Sequence, residues 1–398
     1  MQICRLPKTV RRLFCFHKDV PMKKIITLIL TVFIVWSCTS DGPSGPDVDD
    51  FDREAILVNW ADNIIIPAFT HFSETTGTLH SDAVAFSEDP TLQHLETLRE
   101  SWKSAYLAFQ HVSMFEMGAI MNYRDFLNTY PTTADSNSFN PEEKKTILEN
   151  IETSDYNLEL PSTRSTQGFP ALDYMLNGLA ENDDELLSFY TSDTNSENYR
   201  TYLTDLTQRI DVLANQILNN WTDSYRDEFV SNSGKGANSS LDMMVNDFIF
   251  YYETLLRKGK IGIPAGVFSG TPLSTHVEAY HSKGFSKALF NEALDATQKF
   301  FNGTHFDSNQ SGESLSSYLD FLNTMKEGAD LASLINNQFN DARDAAESLN
   351  ENFAAQVESD NSLMLSTYNE LQKNVVFMKV DMVQALGISI TYSDNDGD

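Results

Sequence analysis

Cysteine is nearly missing from this chain, which holds only Cys4, Cys15 and Cys38 among its 398 residues. Everything after Cys38 therefore lacks a thiol, and a disulfide scaffold or a cysteine nucleophile is excluded there. Basic charge is also scarce: 28 Lys and Arg face 57 Asp and Glu, a net −29. Residues 1–37 hold seven of the basic residues and one of the acidic ones, so the remainder carries 21 against 56, a net −35. That balance excludes nucleic acid as a partner, because holding phosphates requires a basic surface that displaces counterions. An acidic field repels anionic headgroups, gathers cations weakly and keeps an exported protein soluble. No tandem repeat of the kind that builds helical solenoids is present.

What is there begins with an export signal. Met22-Lys23-Lys24 precedes an apolar run from Ile25 to Trp36, twelve residues that are too few to span a bilayer as a stable helix. Val35-Trp36-Ser37-Cys38 reads as a lipobox, which predicts lipidation of Cys38 and a membrane partner reached through that anchor. The signal peptide is then residues 1–37, with Met22 as the true start. Residues 38–52 follow as the lipidated Cys and a flexible tether, rich in Ser, Gly, Pro and Asp and unable to bury a core.

Periodicity points to helices nearly throughout the rest. Tyr202, Leu206, Ile210, Leu213, Ile217, Trp221, Tyr225 and Phe229 recur at steps of three and four and share one stripe. Leu315 to Phe353 and Tyr368 to Leu386 repeat the pattern, and such aromatic and Met stripes read as core. Pro67 removes an internal hydrogen bond from the first helix and predicts a kink. The polar, Gly-rich run Asn232 to Asn238 is the clearest break and marks a domain boundary. Helices are predicted over about 53–75, 90–117, 170–180 and 196–230 before it, and 240–257, 285–301, 314–353 and 362–387 after it. The fold class is all-α, two four-helix-bundle-like domains packed together, over residues 53–231 and 238–398.

Candidate chemistry is sparse. Seven histidines follow the leader: His71, His80, His94, His111, His276, His281 and His305. None forms H-E-x-x-H, the spacing that offers two imidazoles and a general base on one helical face. His276 and His281 stand roughly 140° apart on a helix and share a metal only from irregular backbone. His71 and Glu74 have the i, i+3 spacing of a shared metal, but one such pair arises readily by chance among seven histidines in an acidic chain. Asp394-Asn395-Asp396-Gly397-Asp398 opens like a calcium loop without its bidentate Glu and reads as an acidic tail. No G-x-S-x-G elbow occurs. The loop Lys260 to Gly266 lacks a phosphate-binding pattern, and its glycines set turn geometry.

The richest segment is Gln167-Gly168-Phe169-Pro170-Ala171-Leu172-Asp173-Tyr174-Met175-Leu176-Asn177-Gly178. Gly168 ends an irregular run, Pro170 suits a first helical turn, and Asp173 is expected to face the positive end of the helix dipole. The segment resembles the G-x-H-x-x-E signature of the imelysin, or M75 peptidase-like, family, with Pro170 in place of His and Asp173 in place of Glu. Leu98, Trp102 and Phe115-Glu116-Met117-Gly118 resemble that family's Leu/Trp helix and acidic-Gly end. Lys260-Ile261-Gly262-Ile263-Pro264-Ala265-Gly266 resembles its Lys-x-Gly-x-Pro-x-Gly loop, and Val277 to Ser282 and Phe301-Asn302-Gly303 follow in family order.

The resemblance implies two helical bundles with a ligand site near their junction, formed by Glu116, Arg164, Gly168, Pro170, Asp173, Glu253, Lys260 and Glu278. Converging carboxylates with basic counter-charge suit a cation, iron or another divalent ion, or a small polar ligand; otherwise they tie the bundles together. Proline offers no lone pair and Asp reaches less far than Glu. The altered motif therefore predicts a non-catalytic binding or accessory lipoprotein with no catalytic residue, and the resemblance implies a link to iron acquisition. The alternatives are an M75-type metallopeptidase and an envelope polysaccharide- or protein-binding lipoprotein. Thr39 behind the lipidated Cys implies, by resemblance to bacterial lipoproteins, the outer membrane.

Overall fold

A computed structural model describes residues 49–118, 122–129, 144–326 and 328–392. The leader, Cys38, the tether up to residue 48 and the acidic tail at 394–398 lie outside the described residues. The described residues from Phe51 onward form one compact unit. No helix among the described residues is long and apolar enough to cross a membrane.

Helix α1 (53–88) starts at Asp52, whose carboxylate accepts the Ala55 amide. It runs as α-helix over Arg53–Asn59, widens to a π-helical stretch over Trp60–Ile65 and resumes over Ile66–Glu88. Pro67 falls in the first turn of the resumed stretch. The disturbance expected there takes the form of that upstream π stretch, in which the Ile66 amide reaches back five residues to the Ala61 carbonyl. The helix passes residue 75 because Leu79, Ala83 and Phe86 continue its buried stripe.

Next come α2 (Leu92–Val112), capped by Thr91, the short α3 (Tyr123–Leu127) and α4 (Lys144–Thr153). A 3-10 turn, Pro161–Thr166, leads into α5 (168–178), then α6 (Asp183–Thr191) and α7 (196–231). Beyond the 232–238 run lie α8 (240–262), α9 (Ser286–Phe301), α10 (Leu315–Phe321), α11 (Leu331–Glu347), α12 (Phe353–Ser359) and α13 (362–386).

Helices α1, α2, α5 and α7 pack on one another, as do α8, α9, α11 and α13, and α2 packs on α9. The buried stripe of α7 is core as its spacing requires, from Tyr202 through Trp221 to Phe229. The single helix expected over 314–353 is interrupted. Strands β1 (Met325–Lys326) and β2 (Ala329–Asp330) form a small antiparallel hairpin between α10 and α11. Gly328, at φ +83°, makes the turn, and Asp330 then caps α11 by accepting the Ser333 amide.

Candidate functional site

Helix α8 turns π-helical over Tyr251–Gly262 and buries charge along that stretch. Lys260, near its end, donates from Nζ to Glu278 and, at 2.9 Å, to Gln110 Oε1. Glu278 also accepts the Tyr106 hydroxyl at 3.0 Å and Asn128 Nδ2 at 2.8 Å. Four chain segments thus close on one ion pair: α2, the end of α3, α8 and the loop before α9. Burial pulls the pKa of Lys260 down, while the Glu278 carboxylate beside it pushes back.

The signature segment braces the same loop. Asp173 is buried and accepts the His281 amide at 2.8 Å and Asn177 Nδ2 at 3.2 Å. It lies beyond the first turn of α5, so the expected pairing with the helix N-terminus is replaced by a tie to the His281 backbone. Pro170 is buried in the first turn of α5. Gly168 has φ +76°, and a Cβ built on it would collide with the Leu127 carbonyl oxygen, so only glycine lets α5 begin pressed against α3.

A second cluster centres on Arg124. Its Nη2 meets Glu116 Oε2 at 3.0 Å and Asp247 Oδ1 at 2.6 Å. The Glu116 amide donates to Asp247 Oδ2 at 2.5 Å, and the Arg124 amide donates to Glu116 Oε1 at 3.3 Å. Burial raises the pKa of Asp247 and Arg124 counteracts it. For Arg124 itself burial works against the charge, but the two carboxylates outweigh it and strengthen its hold on the proton.

Beside this clamp opens a cavity of about 450 Å³, walled by Met117, Tyr225, Met243, Phe250 and Tyr392. The guanidinium lies over the Phe250 ring, 5.8 Å from its centroid. Burial pushes the Tyr225 phenol up to about 12. Arg124 also lines a much smaller cavity of about 20 Å³ with Gln110, Asn128, Tyr251 and Lys260, room for one water between the two clusters. Among the described residues Arg124 Nε and Nη1 have no hydrogen-bond partner.

Glu253 accepts Lys379 Nζ on both oxygens at 2.9 Å and the Tyr392 hydroxyl at 2.9 Å, which ties the segment after α13 to α8. Arg164 pairs with Asp125 at 2.9 Å and lies over the Phe126 ring. Of the residues singled out from sequence, Lys260 and Glu278 touch, and Gly168, Pro170 and Asp173 share α5. Glu116, Glu253 and Arg164 each meet other partners. Sequence reasoning missed Arg124, Asp247, Tyr106, Asn128 and Tyr392. Asp247 carried a signal, a lone acid in the apolar run Met243 to Phe250.

Among the described residues no three His, Cys, Asp or Glu side chains are gathered to hold a metal ion. At the signature, Pro170 has no donor atom and both Asp173 oxygens already accept hydrogen bonds. The residues present there do not fit a metal. His71 packs on Phe306 and borders a polar cavity of about 360 Å³ with His111 and Glu292. His111 Nε2 meets Glu292 Oε1 at 2.5 Å, and that hydrogen bond holds the Glu292 carboxyl below its ordinary range.

The imelysin family model, of the M75 peptidases, matches residues 65–375. No curated protein matches the chain. Among solved structures, an imelysin-like protein from Psychrobacter arcticum 273-4 is 16% identical with a TM-score of 0.63, covering 85% of this chain and 97% of its own. A protein named "putative iron-regulated protein A precursor", from Parabacteroides distasonis ATCC 8503, is 14% identical with a TM-score of 0.66, covering 87% and 98%. At these identities the likeness is one of fold.

Proposed function

The chain belongs to the imelysin family, and from that premise we propose that it is a non-catalytic binding or accessory protein of the bacterial envelope, anchored by lipid on Cys38. The observation that carries this reading is the contrast at the two clusters. The signature's polar groups are spent on bracing α5 and the His281 loop, whereas the Arg124 clamp adjoins a cavity of about 450 Å³. That volume suits a small ligand. A link to iron acquisition draws on the name of the Parabacteroides distasonis relative, and an outer-membrane location draws on Thr39 behind Cys38.

The M75-type metallopeptidase remains the alternative to exclude by assay. Purified protein is expected to show no metal-dependent peptide cleavage. Hydrolysis that copurifies with it, vanishes with chelator and returns with zinc would overturn the reading. For the anchor, Cys38→Ala is expected to release the protein from the membrane fraction or block its maturation, and full membrane retention of the processed variant would count against it. A second reading, an envelope polysaccharide- or protein-binding lipoprotein, draws on the Tyr225, Phe250 and Tyr392 rings lining the cavity.

A further inference from the structure

We infer that the cavity beside Arg124 binds an organic cation, an amine carrying an apolar body, recognised jointly by Glu116, Asp247 and the surrounding aromatic rings. The inference rests on the binding reading above and names the ligand class. Charge is the first argument. Two carboxylates share one guanidinium, so with both acids ionised one negative charge is left over at the clamp, in a protein whose net charge is −29. An anion entering here meets that excess, and a monocation cancels it.

The walls supply the second argument. Tyr225, Phe250 and Tyr392 line the cavity, and Met117 and Met243 add polarizable apolar surface. Arg124 already lies over Phe250 and Lys379 over Tyr392, so Tyr225 is the ring on which no protein cation is seated among the described residues. Aromatic faces attract cations through their negative quadrupole, and most strongly when water is displaced. A bare inorganic ion makes no use of such walls. Nor are three His, Cys, Asp or Glu side chains gathered to hold such an ion among the described residues.

Preorganisation is the third. Arg124 is 5% exposed, and its Nη2 holds both carboxylates at once, so neither must be ordered when a ligand arrives. Each carboxylate oxygen has more than one acceptor site, which leaves capacity for an ammonium N–H.

The test is calorimetric titration of the purified protein with three probes that share a phenyl body and differ in charge: 2-phenylethylammonium, 2-phenylethanol and 3-phenylpropionate. The ammonium is expected to bind at least about tenfold more tightly than the alcohol, with the gap narrowing as salt is raised, and the carboxylate more weakly than either. Glu116→Gln is expected to remove that tenfold preference with the thermal transition retained. Tyr225→Leu keeps both carboxylates and removes one ring, and is expected to weaken the ammonium more than the alcohol. Carboxylate binding as tight as that of the ammonium, or an ammonium preference unmoved by both variants, would overturn the cation assignment and leave the pocket reading standing. Absence of binding by all three probes at millimolar concentration would overturn both.

Discussion

Two buried acid–base clusters lie close together in this molecule and differ in the room beside them. Lys260 and Glu278 are enclosed: Gln110, Tyr106 and Asn128 contribute hydrogen bonds, and the adjoining space holds about 20 Å³. Arg124 with Glu116 and Asp247 borders that same small space on one side and a cavity of about 450 Å³ on the other. Both are acid–base clusters built from α8 and the chain around α2 and α3, the first with Glu278 added from the loop before α9. A buried charge pair is therefore no indicator of a site by itself. The deciding feature is the room beside it, because a ligand needs volume to enter and a brace needs none.

The comparison predicts that changes in the enclosed region cost stability and changes at the open clamp cost binding. The largest effect is expected from Gly168→Ala. Its φ is positive and its Cβ would strike a backbone oxygen that cannot swing aside, so a loss of about 4 kcal/mol or more, or failure to fold, is expected in urea unfolding. A loss below about 1 kcal/mol would show that α5 can pull away from α3.

Next comes Glu278→Ala, which strands a buried ammonium and is expected to cost about 3–5 kcal/mol. Replacing the pair together, Lys260→Met with Glu278→Leu, is expected to recover most of that loss, since it removes both desolvation costs. A double variant as unstable as the single one would mean that the Tyr106 and Asn128 bonds, not the ion pair, hold the loop. Glu116→Gln, by contrast, leaves Arg124 paired to Asp247 and is expected to cost about 1 kcal/mol.

The smallest effect concerns Glu292. Its hydrogen bond from His111 lowers its folded pKa, so it contributes stability that is present above the unfolded value, about 4.3, and lost as pH falls through the folded value. Glu292→Gln is expected to be less stable than the parent near pH 6, with the gap closing as pH falls below the ordinary carboxylate range. A gap that persists at low pH would assign the effect to packing, and the partial exposure of Glu292 keeps it small.

Part of this was legible in the chain. Gly168 and Pro170 were placed correctly at a helix start, because a glycine in the left-handed region and a first-turn proline are local requirements. The 314–353 helix was not, although Gly328 marked the turn that divides it. Asp173 was assigned to the helix dipole on local grounds and instead holds the His281 amide, 108 residues away. Arg124 and Asp247 are 123 residues apart, and no spacing rule links them.

By itself the sequence determined the helical class, the buried stripes and the acidic balance, since periodicity of 3.6 and composition are properties of short windows and of sums. Tertiary structure alone decided which carboxylate meets which cation and where the packing leaves a cavity. Those outcomes depend on how side chains from α2, α3 and α8 fill shared space, and close packing makes that a property of the assembled core.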